Sequence, residues 1–132
     1  MKTSDKRKLY AGTLILIAGY TGLSAVSFVL VTNADMDTAT GRHLLAGALA
    51  NGVFCFTQIM ITYFALRKGE HWAWWSICIP AFVYGLVMLI TYSLLVSKER
   101  LFITIAPQIA GLFVLSLGLF YSGIAIFKNQ TK

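Results

Sequence analysis

The sequence predicts an all-α polytopic membrane protein, an antiparallel up-down bundle of four transmembrane helices with both termini on the cytoplasmic side. Three observations carry that prediction. Of the 132 residues, 58% are hydrophobic and only 12% are charged, about half the charged share of a soluble domain. The charges are clustered, and the neutral stretches between them are about twenty residues long, the length a helix needs to cross the hydrocarbon of a bilayer. These stretches are continuously apolar, whereas barrel strands alternate apolar and polar residues, so helices that satisfy their own backbone hydrogen bonds are expected.

The first span is expected at about 9–32. Basic residues before an apolar run resemble a signal peptide, but the run is too long for one and three more follow, so it reads as an uncleaved signal anchor. The loop from Asn33 to His43 is the longest connection; Asp35 and Asp37 make it acidic and Gly41 makes it flexible. Span two is expected at 44–66, and a short turn, Arg67 to His71, leads to span three at 72–96. Another short turn, 97–100, leads to span four at 102–127. Connections this short force consecutive helices to lie side by side and antiparallel. Pro107 lacks a backbone N–H and fits best in a first helical turn, which would leave 101–106 along the outer interface. Pro80, inside span three, should leave the carbonyl of Ser76 without its helical partner and kink the helix. The polar ends are too short to fold alone, so a single four-helix domain over 1–132 is expected. No repeat relates the two halves, which weakens an inverted-repeat transporter reading.

Charge placement sets the orientation. Lys2, Lys6, Arg7, Lys8, Arg67, Lys68, Lys128 and Lys132 share one side of a four-span chain and make up eight of the eleven Lys and Arg; Arg42, Lys98 and Arg100 are on the other. The positive-inside rule then puts both termini in the cytoplasm, most simply across a prokaryotic inner membrane. The same distribution explains the net charge of +6 without a nucleic-acid partner.

In lipid, helices associate through small residues and polar contacts. Ala11, Ala18, Gly22 and Ala25 form a stripe on span one. Ala46, Gly47, Ala48, Ala50 and Gly52 open span two, and Gly111, Gly118 and Ser122 mark span four. Tight helix packing explains all of them. Span two also carries a polar stripe, Asn51, Cys55, Gln58 and Thr62, at steps of four, three and four, which puts them on one face. Amides need partners in hydrocarbon, so this face should turn to the bundle interior or another subunit. By depth, Gln108 is expected near Asn51 and Tyr121 near Gln58, with Tyr20 and Tyr84 close to the midplane. Such bonds average about 0.6 kcal/mol. They read either as packing contacts or as a polar cavity for the head of a lipid-like or other small molecule, with Asn51, Gln58, Tyr20, Tyr84, Gln108 and Tyr121 as its candidate ligand-binding residues.

The stretch Arg67-Lys68-Gly69-Glu70-His71-Trp72-Ala73-Trp74-Trp75 is the most distinctive. Arg67, Lys68, Trp72, Trp74 and Trp75 are expected to anchor the helices at the headgroup level, where amphipathic rings and long cations meet both phases. Over about ten residues, with its basic residue and Gly before Trp-Ala-Trp, the stretch resembles the turn between the second and third helices of small uncharacterised prokaryotic four-helix membrane proteins. That resemblance implies a fold and a size but no activity.

Several chemistries are argued against. No Asp, Glu, Lys or Arg lies well inside an expected span, which disfavours proton-coupled transporters and pumps. His43 and His71 begin spans at opposite surfaces, roughly 30 Å apart, too far to share a metal or haem. Cys55 and Cys78 differ in depth and form no Cys-x-x-Cys motif, so they read as small hydrophobes without a disulfide. Asp35, Asp37, Arg42, His43 and Glu99 could gather at the outer mouth as an enzyme site, but nothing in their spacing specifies one. Asn129-Gln130-Thr131 matches a glycosylation triplet at an end expected to be cytoplasmic. No cofactor or metal is implied. The expected function is therefore a non-enzymatic membrane protein. It would bind a lipid or apolar ligand, or pack as an accessory subunit against a larger membrane protein or a second copy of itself. An oligomeric small-solute transporter or channel is the alternative, and an outer-face enzyme on lipid headgroups a third class.

Overall fold

The computed structural model describes the backbone at residues 3–32, 36–95 and 98–128, and the side chains there except at 30, 31, 40, 44, 88, 91–95 and 98–104. Within these residues the chain forms α1 (Thr3–Thr32), α2 (Ala39–Phe64), a 3-10 turn (Leu66–Lys68), α3 (His71–Leu95) and α4 (Lys98–Phe127). Three stretches are helical, long and apolar enough to cross a membrane: Thr3–Val29, Gly41–Lys68 and Ile105–Phe127. α3 is a further helix of 25 residues, continuous through Pro80.

Helix ends follow local chemistry. α1 begins before the apolar run, so the basic segment Lys6-Arg7-Lys8 is helical. Asp5 lies in its first turn, where the positive end of the helix dipole favours a carboxylate. Thr38 caps α2: extended at φ −91, ψ 151, it accepts a 3.0 Å hydrogen bond at Oγ1 from the Gly41 N–H. The Arg42 guanidinium donates to the carbonyls of Met36 and Asp37 at 3.3 and 3.1 Å, which fixes the loop ahead of the cap. At the other end Gly69 adopts φ +84 and donates to the carbonyl of Leu66 at 2.8 Å, closing a turn that only glycine enters without strain. α4 departs from expectation. It starts at Lys98, so Pro107 sits well inside the helix and 101–106 belong to it. Pro107 has no N–H to donate to the carbonyl of Ile103, four residues back.

α1 packs most extensively on α4 and next on α2; α3 packs on α4 and only sparsely on α2. The neighbours therefore run α2, α1, α4, α3. α1, α2 and α4 each turn one seam inward, with buried positions stepping alternately by four and three, whereas those of α3, Ala73, Ile77 and Ala81, step by four. α1 contributes Leu9, Thr13, Leu16 and Tyr20, and α2 contributes Asn51, Cys55, Gln58 and Thr62. α4 contributes Leu115, Leu119, Ser122 and Ile126. That spacing averages 3.5 residues, the period at which helix faces interlock knob into hole.

Closest approach falls between α1 and α4. A Cβ at Gly12 would stand 2.7 Å from the Ser122 backbone nitrogen and 2.8 Å from the Gly118 oxygen. One at Gly118 would stand 2.7 Å from Leu16 Cγ, and one at Gly19 2.9 Å from Leu115 Cδ2. Gly111 receives Leu23 in the same way. The glycines pair seven apart on both helices, 12 with 19 and 111 with 118. On α1 this corrects the small-residue stripe expected at Ala11, Ala18, Gly22 and Ala25. Ala18, Gly22 and Ala25 are exposed, because the large knobs Leu9 and Leu16 select the Gly12/Gly19 face. Ala46, Gly47 and Ala50 of α2 are exposed too. Among the described residues nothing beyond the helix itself comes within 4 Å of a Cβ built at Gly22, Gly47 or Gly52.

Candidate functional site

The interior polar stripe of α2 meets α1 through one directed chain of hydrogen bonds. Ser27 Oγ donates to the carbonyl of Leu23 at 3.1 Å, so it can only accept from a second partner. Asn51 Nδ2 supplies that bond and also lies 3.5 Å from the Leu23 oxygen. With Nδ2 committed to α1, Asn51 Oδ1 faces Cys55, whose thiol donates to it at 3.7 Å. Ser27 was not among the sequence candidates. Its signal is position: seven residues beyond Tyr20, it continues the buried seam of α1.

Other interior hydroxyls are satisfied within their own helices. Thr13 donates to the Leu9 carbonyl at 2.8 Å, Thr62 to that of Gln58 at 2.7 Å and Ser122 to that of Gly118 at 2.9 Å. Two groups differ. The Tyr20 hydroxyl and Gln58 Oε1 are buried with no hydrogen-bond partner among the described residues. Such an orphan carries an unmet desolvation penalty of about 1–3 kcal/mol.

Four of the six interior candidates converge, through an aromatic column between the helices. Phe54 stacks on Tyr84 at 4.6 Å between centroids and 21° between planes, and it meets Tyr20 edge-on at 6.1 Å. Asn51, Tyr84 and Gln108 line one small cavity with Leu23, Leu112 and Leu115, so Gln108 and Asn51 share a site as their depth predicts. Its volume is about 20 Å³, enough for a single water molecule and far below the several hundred Å³ of a ligand pocket. Gln58 is buried further along α2 and does not line it. Tyr121 does not join the interior. It is 41% exposed, edge-on to Phe120, because α4 turns its neighbour Ser122 inward against Gly12 and carries residue 121 round to the outer surface.

The Trp cluster divides similarly. Trp72 and Trp75 are exposed. Trp74 instead packs between helices: its indole Nε1 donates to the Leu119 carbonyl at 2.9 Å, its ring lies over Gly123, and Phe127 meets it edge-on at 5.2 Å. Arg67 and Lys68 are exposed, the Arg67 guanidinium 5.4 Å from the centre of the Tyr63 ring.

No constellation for covalent or metal chemistry emerges among the described residues. No three His, Cys, Asp or Glu side chains converge. Cys55 and Cys78 are free thiols. His43 is exposed, while His71 is half-buried, edge-on to Phe127. Asp37 is exposed beside the Arg42 loop. Asp35, the Glu99 side chain and the triplet Asn129-Gln130-Thr131 lie outside the described residues.

The larger concavities open outward. One, of about 490 Å³, runs between α1 and α2 and is floored by Ala25, Gly52 and Cys55, with Phe28, Phe56 and Ile59 as walls. A second, of about 450 Å³, lies where α2 and α3 diverge at the Gly69 turn. Compared with known protein families, curated proteins and solved structures, the chain matches none.

Proposed function

We propose that the chain is a non-enzymatic membrane module of four antiparallel spans, α3 included, with both termini on the cytoplasmic side of a prokaryotic inner membrane. It works by packing the α1/α2 face against another transmembrane helix, as the accessory subunit of a larger membrane complex or against a second copy of itself. The orientation is supported by the grouping of eight of the eleven Lys and Arg on one side.

One observation carries the docking reading. Among the described residues Gly22, Gly47 and Gly52 are helical positions that meet nothing, and Gly52 lines the groove of about 490 Å³ with Ala25 opposite it on α1. A glycine inside a helix is about 1 kcal/mol less favourable than alanine. Facing lipid it returns nothing, whereas against a second helix it lets backbones approach closely. A ligand held inside the bundle has much less support, since the interior cavity holds about 20 Å³.

The test is native mass spectrometry of the full chain, extracted gently from its own membrane, for wild type and for Gly22→Ile and Gly52→Ile. A partner chain or second copy retained by wild type and lost from both variants, with unchanged helical content, is the expected result. A wild-type protein that emerges as a bare monomer sinks the reading. Solute flux above background leak in liposomes would replace it with the transport alternative.

A further inference from the structure

The groove between α2 and α3 carries two opposite charges on an otherwise apolar wall. Met60 and Phe64, one turn apart on α2, are 40% and 55% exposed and form its long side. Trp72, at the start of α3, is 56% exposed and closes the other side. Lys68 and Glu70, on either side of Gly69, line it too. The left-handed Gly69 between them reverses the chain, so that side chains on either side of the turn line the same groove. Neither charge has an ion-pair partner among the described residues, and both are exposed. A Lys and a Glu that share a groove without pairing leave one donor and one acceptor for something between them.

From this we infer that the groove is a site for a zwitterionic phospholipid whose headgroup ends in a primary ammonium. The lipid phosphate lies against the Lys68 ammonium and the headgroup ammonium against the Glu70 carboxylate. The first part of one acyl chain runs along Met60 and Phe64, toward the middle of α2. The level is right, because exposed Trp and basic residues concentrate where headgroups lie, and Trp72, Trp75, Arg67 and Lys68 all sit at this end. The charge order discriminates. A headgroup with no amine leaves Glu70 facing a phosphate without compensation. A quaternary amine carries its charge but has no N–H to donate to the carboxylate.

The inference shares only the membrane setting with the proposed function, and its test leaves the α1/α2 face untouched. The full-length protein is placed in bilayer nanodiscs containing equal parts phosphatidylethanolamine, phosphatidylcholine and phosphatidylglycerol. Lipids retained after transfer to detergent are then counted by native mass spectrometry. Wild type should retain phosphatidylethanolamine about threefold over either competitor, the scale of an exposed charge contact. Glu70→Gln should erase that preference while leaving total lipid unchanged. Lys68→Gln should lower retention of all three. Both positions are exposed, so the variants should fold, and unchanged far-UV circular dichroism checks this. Equal retention of the three lipids by wild type, or a preference that survives Glu70→Gln, overturns the assignment. Preferential retention of phosphatidylglycerol also overturns it, and would make the site a simple anion contact of Arg67 and Lys68.

Discussion

The two faces of α1 are built from similar residues and have opposite fates. One carries Gly12 and Gly19, and α4 closes on it until no methyl group fits. The other carries Ala18, Gly22 and Ala25, and within the described chain it meets open space. Small residues alone therefore do not say which face is packed. The difference lies in what α4 offers opposite them: Gly118 makes a hole for Leu16 and Gly111 one for Leu23. Large residues stand on the outward face as well, Leu14 and Val29, and both are at least half exposed. That face offers a shallow, smooth surface between Phe28 and Phe56, suited to receiving a neighbour's side chains or backbone.

The strongest way to break this comparison is at Gly12. A Cβ there meets backbone atoms of α4, the Ser122 nitrogen and the Gly118 oxygen, which cannot rotate away as a side chain would. Gly12→Ala should destabilise the bundle by about 3 kcal/mol, the upper range for overpacking a tight core. Unfolding in mixed detergent micelles would measure it. A loss below the helix-propensity gain of alanine would mean that α1 and α4 separate easily and that the closed face is not closed.

A second, smaller contrast sharpens how α2 is held to α1 beside an open groove. Asn51 and Gln58 occupy the same seam two turns apart, yet only Asn51 reaches across, to Ser27. Asn51→Leu removes that link and leaves Cys55 without its acceptor, and should cost about 1 kcal/mol. Gln58→Leu removes a buried oxygen that has no partner among the described residues and should raise stability by about 1 kcal/mol. Equal losses at both sites would show that Gln58 Oε1 is satisfied in the membrane by something outside this chain, such as a docked helix.

These contrasts also mark how far the sequence could be read. Helical class followed from the uninterrupted apolar runs, and the inward polar stripe of α2 followed from spacing alone, because four polar side chains on one seam have few alternatives in hydrocarbon. The facing of α1 did not follow. Both of its small-residue faces have helical spacing, and only the complementary glycines of α4, almost a hundred residues away, choose between them. The local preference of Pro107 for a first turn does not set the start of α4, which lies at Lys98. At the candidate site, Asn51, Tyr84 and Gln108 were legible by depth, whereas Ser27 was hidden because a single hydroxyl resembles any other until its seam is known. Trp74 was read as an anchor from composition. Its role between helices depends on Gly123, whose missing side chain makes room for the indole.

The smallest expected effect separates the two faces by sign. Gly22→Ala introduces a methyl group where nothing lies within 4 Å, so within one chain its only consequences are helix propensity and lost backbone freedom in the unfolded state. Both favour alanine, by about 0.5–1 kcal/mol in total. The variant should be slightly more stable than wild type when measured in excess detergent, where chains are separated. Gly12→Ala, the same chemical change ten residues earlier on the same helix, should be less stable. If docking on the α1/α2 face is right, the gain should shrink or reverse in lipid at high protein density, because the added methyl group then stands where a neighbouring backbone approaches. A gain equal in both settings would leave Gly22 facing lipid, and the open side of α1 would be no more than surface.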